Sequence, residues 1–173
     1  MLLNLQSRVM LSNGVEIPRL GIGVYQTPVG ETLRAVRYAL KIGYRHVDTA
    51  WLYGNEGDVG RAVLESGIAR EEIFITTKVW NSDQGFDSTL AACERSLRRL
   101  GLSYVDLYLI HWPVQGMGKD TWKAMVQLLR AEARAIGGSN YEISNLQEIL
   151  QNFDVVPAIN LVEFHPFLYQ QEL

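Results

Sequence analysis

Four residues of this sequence combine types suited to acid–base chemistry: the carboxylate Asp48, the phenol Tyr53, the amine Lys78 and the imidazole His111. Together they are typical of a proton donor for a carbonyl oxygen. A free tyrosine has a pKa of about 10 and donates its proton slowly at neutral pH. We predict that the ammonium of Lys78 lowers the pKa of Tyr53, because a nearby positive charge favours the phenolate.

Asp48 and His111 complete the predicted arrangement. Asp48 keeps Lys78 charged and oriented, while His111 hydrogen-bonds the carbonyl oxygen and fixes its angle. Taken singly, the four residues are also explained as a helix cap, a rim aromatic, a solvated charge and a core histidine. Their position favours chemistry, because each lies at or near the carboxyl end of a predicted strand or in the loop that follows it.

Hydrophobic periodicity predicts the elements that hold these residues. A hairpin spans 8–17 and turns at Asn13 and Gly14, a pair that suits the positive φ angles of a primed turn. Beyond it, strand and helix patterns alternate. Asp87 and Ser144 are the predicted N-caps of two helices. The predicted strands are 20–25, 44–50, 73–79, 105–110, 134–138 and 157–164, and the predicted helices are 31–42, 57–66, 87–100, 120–133 and 144–153.

The strand centres recur about every 25 to 30 residues, which is typical of β-α-β units in a parallel sheet. Such units form either an open, doubly wound sheet or a barrel. The open type that binds dinucleotides carries G-x-G-x-x-G after its first strand, whereas here Gly21 and Gly23 lack a third glycine in register. Polar strand ends favour a barrel, whose enzymes place their chemistry there. We predict one α/β domain of the β/α-barrel type over 1–173.

Composition excludes several classes of partner. The net charge is -3, so the chain offers no strongly basic surface and we expect no nucleic-acid partner. No apolar run approaches the roughly 18 residues of a membrane span, so we expect no membrane association. Cys93 is the one cysteine, which excludes an intrachain disulfide and favours a cytoplasmic location. The sequence has no cluster of cysteine and histidine residues, so we expect no metal site.

Five sequence segments resemble the aldo-keto reductase family. The chain is most similar to the bacterial reductases with short loops that act on glyoxals and diketogluconate. The resemblance covers nearly the whole chain. The segments are 43–56 (GYRHVDTAWLYGNE), 73–80 (IFITTKVW), 105–113 (VDLYLIHWP), 134–140 (RAIGGSN) and 160–166 (NLVEFHP).

The resemblance implies a (β/α)8 barrel that reduces aldehydes or ketones to alcohols, with NADPH as cofactor and no metal. The implied substrates are small ketoaldehydes or keto-sugars, and the implied assembly is a monomer or a dimer formed through sheet edges. The implied catalytic tetrad is Asp48, Tyr53, Lys78 and His111, with Tyr53 as proton donor. The implied cofactor-binding residues are Val24, Asp48, Ser139 and Asn140, and the implied substrate-binding residues are Tyr25, Trp51, Trp80, His111 and Trp112.

The sequence departs from the family pattern in its second half. The family barrel has eight β/α units, whereas this chain accounts for about six, so we expect a missing C-terminal part and two open sheet edges. Leu161 stands where the family usually has a glutamine that contacts the carboxamide of the nicotinamide. Gly138 replaces a larger apolar residue and should weaken its strand. The segment 130–134 offers no left-handed position for the turn after its helix. We expect reduced cofactor affinity.

Two other functions remain open. A catalytically impaired barrel fragment would act as a binding or assembly partner through its open edges. An isomerase or aldolase would use Lys78 as a Schiff-base amine, but Asp48 and Tyr53 would then have no role. Turnover of an aldehyde distinguishes the reductase from the fragment, and borohydride trapping with substrate tests the Schiff base.

Overall fold

The main element of the fold is a six-stranded parallel sheet in which each strand pairs with the next along the chain. The structure, a computed structural model, describes residues 3–28 and 30–173. The sheet curves into a half-barrel, which confirms the predicted α/β fold. Its strands are β3 (Ile22–Gly23), β4 (His46–Asp48), β5 (Phe74–Val79), β6 (Val105–Ile110), β7 (Ala133–Ser139) and β8 (Asn160–Leu161). The helices between them are α1 (Glu31–Lys41), α2 (Glu56–Glu65), α3 (Phe86–Leu100), α4 (Gly118–Leu128) and α5 (Ile143–Asn152).

An antiparallel hairpin, β1 (Arg8–Met10) with β2 (Glu16–Pro18), precedes the sheet as predicted. Its turn is wider than the predicted one. The amide of Gly14 donates to the carbonyl of Leu11 at 3.0 Å, and Gly14 has a φ of +84° while Asn13 does not have a positive φ. Only one left-handed residue is therefore needed, and a primed turn, which needs two, does not form.

Several predicted element ends differ from the structure, among them two helix caps and the last strand. Gly85 takes the N-cap position of α3, so Asp87 lies inside the first turn. Glu142 caps α5 in a reciprocal arrangement with Asn145, and Ser144 is a helical residue. The last strand pairs over two residues rather than over 157–164. In each case the sequence contains more than one residue able to act as the cap or boundary.

Two apolar clusters stabilise the half-barrel, one on each face of the sheet. Successive side chains of a strand point to opposite faces, so that on β5 Ile75 and Val79 face the helices while Phe74 faces inward. Ile17 of the hairpin packs into the inner cluster, which also contains Leu107, Leu109 and Ala135. The outer cluster contains, among others, Val36, Val59, Val63, Cys93, Leu100, Tyr108, Trp122, Met125 and Ile136.

Cys93 lies on the buried face of α3 with none of its surface exposed. Burial raises the pKa of its thiol to about 12, and the carboxylates of Glu132 and Glu56 act in the same direction. The thiol is therefore both inaccessible and protonated in the folded chain.

Helices α2 and α3 approach each other closely at a glycine. A Cβ atom on Gly60 would lie 1.8 Å from the carbonyl oxygen of Leu100, whereas one on Gly57, a turn earlier, would lie 3.8 Å from that of Arg99. Gly60 is therefore required by backbone packing, and Gly57 is not.

A buried carboxylate joins three strands at the amino end of the sheet. Asp106 of β6 has no exposed surface and accepts hydrogen bonds from Arg70 at 2.8 Å, Arg134 at 2.7 Å and the amide of Ile75 at 2.9 Å. Both of its oxygens are paired, as a buried charge requires. This network stabilises the end of the sheet opposite to the strand ends that carry polar residues.

The segment from α4 to β7 has no left-handed residue, as predicted, but the predicted helix 120–133 is too long, because α4 ends at Leu128 and β7 begins at Ala133. The amides of Ala131 and Glu132 both donate to the carbonyl of Leu128, and no residue of 129–132 has a positive φ. In β7, a Cβ atom on Gly138 would lie 3.0 Å from the ring of Tyr141. The ring thus occupies the space that a larger side chain would take, and β7 is paired on both sides.

The sheet has two edges, β3 and β8, each of which is two residues long. Within residues 3–28 and 30–173, no helix is long and apolar enough to cross a lipid bilayer.

Candidate active site

Parallel pairing brings the carboxyl ends of four strands together. Asp48 ends β4, Lys78 is the penultimate residue of β5, His111 follows β6, and Ser139 ends β7. The inward-facing register of Phe74 continues two and four residues later along β5, which places Lys78 inside the half-barrel. Four residues far apart in sequence therefore share one end of one sheet.

Lys78 is a buried amine held by two oxygen atoms. Its Nζ donates to Oδ1 of Asp48 at 2.6 Å and to the carbonyl oxygen of Thr49 at 2.9 Å. Only 1% of the Lys78 side chain is exposed, against 19% of that of Asp48. Burial lowers the pKa of Lys78, and the ion pair with Asp48 opposes this change. The pair matches the predicted orientation of Lys78 by Asp48.

Tyr53 lies beside this ion pair in a 3-10 turn, Trp51–Tyr53, that follows β4. Its ring centroid is 5.2 Å from Nζ of Lys78, and the ring of His111 meets it edge-on at 5.6 Å between centroids. The structure thus brings the four predicted tetrad residues together.

The predicted direction of the Tyr53 pKa is wrong. Burial raises the pKa of Tyr53 to about 12, and the Asp48 carboxylate and the Tyr25 phenol act in the same direction. Oδ2 of Asp48 is buried and has no hydrogen-bond partner in the part of the chain that the structure describes. Because this carboxylate offsets the charge of Lys78, the ammonium does not overcome the cost of burying a phenolate.

His111 is a neutral imidazole at physiological pH. Burial and, to a smaller extent, the positive charge of Lys78 together lower its pKa to about 4. Its Nδ1 is buried without a partner among residues 3–28 and 30–173, and the ring of Trp80 meets it edge-on at 5.1 Å. A neutral imidazole donates one hydrogen bond and accepts another, which suits a carbonyl oxygen better than it suits a proton transfer.

Three of the predicted substrate-binding aromatics surround Tyr53 and His111 or flank them. The ring of Tyr25 is 4.9 Å from that of Tyr53, and Tyr25 is 63% exposed. The ring of Trp80 contacts that of His111. Trp112, the residue after His111, is 47% exposed. These rings leave apolar surface open around the phenol.

Trp51 lies elsewhere. Its ring is 5.5 Å from the guanidinium of Arg99 on α3, and Arg99 is in turn 3.8 Å from the buried carboxylate of Glu56. Nε1 of Trp51 is buried and lacks a partner in the described chain. The structure therefore places this predicted substrate residue against α3, apart from the rings that contact Tyr53.

Ser139 and Asn140 form the polar rim at the end of β7. Asn140 has a φ of +59°, and its Nδ2 donates to the carbonyl oxygen of His111 at 3.0 Å and to Oγ of Ser139 at 3.1 Å. This leaves the hydroxyl hydrogen of Ser139 and Oδ1 of Asn140 unused by the described residues. One donor and one acceptor side by side match a primary carboxamide, so this pair fits the nicotinamide end of the predicted cofactor.

The other two predicted cofactor residues, Val24 and Asp48, already bond to other protein groups, and Leu161 adds no polar side chain. Val24 is 1% exposed; its amide donates to the carbonyl of Asp48 at 3.1 Å and its carbonyl accepts from Asn55 at 2.9 Å. Asp48 is committed to Lys78 through Oδ1. Leu161 accepts from the amide of Asn140 through its backbone carbonyl, and its side chain packs inward.

Sequence reasoning missed two side-chain amides that hold the site, the buried Gln84 and the partly buried Asn55. Gln84 donates to the carbonyl oxygen of Trp112 at 2.7 Å, and Asn55 bonds to residues of three other elements. Asn55 belongs to the 43–56 segment and precedes a predicted helix, so its type suggested only a cap. Nothing in the sequence marks Gln84.

The arrangement provides a half-buried phenol with a cation and a neutral imidazole beside it. Such a set donates a proton and orients an oxygen atom. In the part of the chain that is described, no group of three or more histidine, cysteine, aspartate or glutamate side chains is placed to hold a metal ion.

Comparison with known proteins agrees with this geometry. The family model described as "Aldo/keto reductase family" matches residues 19–173. The glyoxal reductase of Bacillus subtilis (strain 168) is 52% identical over 172 residues, which cover 98% of this chain and 62% of that protein. The crystal structure of an aldo/keto reductase from Brucella melitensis superposes with a TM-score of 0.93 at 48% identity, over 96% of this chain and 66% of that one.

A third similar protein was solved with a cofactor. The aldo-keto reductase of Bombyx mori in complex with NADP superposes with a TM-score of 0.90 at 34% identity, over 96% of this chain and 61% of that one. The chain thus spans about 60% of the length of the relatives it matches. A family model that matches 155 of 173 residues, counted from 19 to 173, leaves one conclusion: the chain belongs to the aldo/keto reductase family.

Proposed function

We propose that this chain carries the proton-donating centre of an NADPH-dependent carbonyl reductase that converts aldehydes or ketones to alcohols. The observation that carries the proposal is the 2.6 Å contact between Lys78 and Asp48, buried beneath the phenol of Tyr53. A buried ion pair with one accessible phenol above it is costly to maintain. Catalysis of proton transfer gives that cost a function.

In the proposed reaction Tyr53 donates the proton, and Lys78 stabilises the phenolate that Tyr53 then becomes. A nicotinamide held at Ser139 and Asn140 would supply the hydride for the carbonyl carbon. As the electron pair of the C=O bond moves to oxygen, the phenol of Tyr53 transfers its proton there and the product is an alcohol. The phenolate left behind is stabilised by the ammonium of Lys78 and later regains a proton from solvent.

The raised pKa of Tyr53 is compatible with this role. At physiological pH Tyr53 is fully protonated, so every molecule holds the proton that the reaction needs. An alkoxide is a much stronger base than a phenolate, so the transfer runs downhill once hydride arrives. His111, neutral and edge-on to Tyr53, orients the oxygen by a hydrogen bond without competing as the acid.

Cofactor and substrate class are part of the same proposal. Ser139 and Asn140 hold the carboxamide of NADPH, as their free donor and acceptor allow, with Asp48 and Val24 behind them. The related Bombyx mori protein was solved with NADP, which supports this choice. Tyr25, Trp80 and Trp112 form the wall for a small ketoaldehyde or keto-sugar.

Turnover of methylglyoxal tests the proposal. NADPH oxidation is measured with the wild-type chain, with Tyr53→Phe, and with Tyr38→Phe as a control, since Tyr38 is an exposed phenol on α1. We expect Tyr53→Phe to lower the rate by at least about 100-fold, the usual contribution of a positioned acid, and Tyr38→Phe to leave it unchanged. Equal rates in all three proteins would contradict the assignment.

A second candidate function is favoured by the two open sheet edges, β3 and β8. A chain that pairs through them would act as a binding or assembly partner without turning over substrate. This alternative predicts no rate in any of the three proteins, together with complex formation when a complementary polypeptide is added. A measurable rate lost in Tyr53→Phe would exclude it as the main function.

A further inference from the structure

Asn55 occupies the N-cap position of α2 but does not cap that helix. Its side chain forms no hydrogen bond to the first turn of α2, although asparagine is among the best N-cap residues. The three bonds that it does form lead to other elements. Its side chain is therefore used for something other than starting the helix.

We propose that Asn55 is a positioning residue that holds Tyr53 over Lys78 by closing the loop 49–55 on itself and anchoring it to the strand next to it. The proposal rests on the proposed function, because it concerns the placement of the same proton donor.

The closure is a single short hydrogen bond between the two ends of the loop. Oγ1 of Thr49 donates to Oδ1 of Asn55 at 2.7 Å. Tyr53 lies between these two residues. Inside the loop, the backbone is held by only two short-range bonds, from Tyr53 to Ala50 at 3.0 Å and from Gly54 to Trp51 at 3.2 Å. A 3-10 turn of this length does not fix its own orientation.

Thr49 connects this closure to the ion pair. Its side chain is fully buried, its amide donates to the carbonyl of Thr76 at 2.9 Å, and its carbonyl accepts from Nζ of Lys78 at 2.9 Å. All three polar groups of Thr49 are thus bonded, one of them to Asn55. The hydrogen bond to Lys78 fixes the first residue of the loop, Thr49. Asn55, the last residue of the loop, is fixed in turn by its hydrogen bond to Thr49.

The amide nitrogen of Asn55 adds an anchor on the neighbouring strand. Nδ2 donates to the carbonyl oxygen of Val24 at 2.9 Å and lies 3.4 Å from Oγ1 of Thr32 on α1. Val24 precedes Tyr25, whose ring is 4.9 Å from that of Tyr53. One side chain therefore fixes the backbone beneath both rings, and its two ends have different tasks: the oxygen closes the loop and the nitrogen aligns Tyr25.

The test separates these tasks by substitution. Asn55→Ala removes both, Thr49→Val removes only the closure, and Thr49→Ser restores the hydroxyl. Asn145→Ala is the matched control, because it makes the same substitution at the start of another helix, α5, far from the loop in sequence.

The first readout is the titration of Tyr53, measured by NMR on tyrosine labelled at the ring carbon, with Tyr53→Phe identifying its signal. We expect Asn55→Ala and Thr49→Val to bring the pKa of Tyr53 from about 12 toward the ordinary 10.0, since a released ring gains solvent. Amide exchange of 49–55 should also accelerate. Thr49→Ser and Asn145→Ala should leave both unchanged.

The second readout is turnover, where we expect kcat to fall at least 10-fold in Asn55→Ala while KM for NADPH stays constant. An unchanged Tyr53 titration and unchanged loop exchange in both Asn55→Ala and Thr49→Val would overturn the proposal. If Asn55→Ala does not fold, Thr49→Val decides. The absence of turnover would contradict the proposed function. Because the Tyr53 titration needs no catalysis, it would still test the role of Asn55.

Discussion

Lys78 carries its charge with almost no exposed surface, and one carboxylate balances it. We expect Lys78→Met to lower the free energy of unfolding by about 2 to 4 kcal/mol, because Asp48 is then left with an unpaired charge in a largely buried site. Urea unfolding measures this loss. The double variant Lys78→Met with Asp48→Asn should regain about half of it. A double variant as unstable as the sum of two independent losses would show that the pair is not coupled.

His111 makes stability depend on pH. Its pKa is about 4 in the fold against 6.5 when unfolded, so the unfolded chain binds more protons between these values. Stability is therefore fully present above pH 6.5 and is lost as the pH falls toward about 4. We expect His111→Gln to make the decline in melting temperature over this range shallower.

The His111→Gln variant does not remove the whole decline, because burial also lowers the pKa of His46, a second buried histidine with a bond of 3.0 Å to Thr76. Melting curves of wild type and His111→Gln at matched pH values provide the comparison. Parallel curves from neutral to acidic pH would mean that His111 titrates alike in both states, contrary to the prediction.

Strand-end position was enough to predict from sequence that Asp48, Tyr53, Lys78 and His111 lie together, because parallel pairing brings such ends to one side of the sheet. The direction of the Tyr53 pKa was not predictable, since it depends first on how far the loop buries the phenol and then on the carboxylate of Asp48 beside it. The contact of Trp51 with Arg99 and the bonds of Asn55 were equally hidden. Both depend on the path of the loop after β4, which the residue types alone do not determine.

At the scale of elements, the contact between α2 and α3 is the tightest feature of the helical layer. Gly60→Ala places a methyl group against the Leu100 carbonyl, 1.8 Å from its oxygen, so the two helices must separate. We expect a loss of about 3 kcal/mol in the free energy of unfolding, at the upper end for overpacking. Denaturant unfolding of the purified variant measures it.

Gly57→Ala is the control on the same helix. A Cβ atom there meets the nearest backbone oxygen at 3.8 Å, an ordinary contact. Since alanine favours helix over glycine by about 1 kcal/mol, this variant should be as stable as wild type or slightly more so. Similar losses in the two variants would mean that helix propensity, rather than helix approach, governs both positions.

Elements were predicted better than their ends. The strands β5 and β6 follow from long β-branched and apolar runs, and their bounds differ from the prediction by at most one residue. The predicted last strand spans 157–164, but its pairing with β7 covers two residues, Asn160 and Leu161. Gly138 was expected to weaken β7, yet the ring of Tyr141 occupies the space beside it, a compensation visible only in three dimensions.

At the scale of the whole molecule, the two sheet edges determine association. Each edge strand has two paired residues, so few backbone groups are aligned to receive a second chain. We expect the chain to sediment as a monomer at micromolar concentration, with no change over a hundredfold dilution. A dimer that dissociates on dilution would instead indicate that the edges pair, which is what the assembly alternative requires.

The buried thiol of Cys93 gives this chain a built-in reporter. It is the one cysteine in the sequence, and an alkylating reagent cannot reach it until α3 leaves the sheet. The rate at which the reagent labels Cys93 in native buffer therefore reports how often α3 and the helical layer separate from the sheet. The alkylation rate of Cys93 therefore ranks the stability of the Gly60, Gly57 and Lys78 variants without denaturant or substrate.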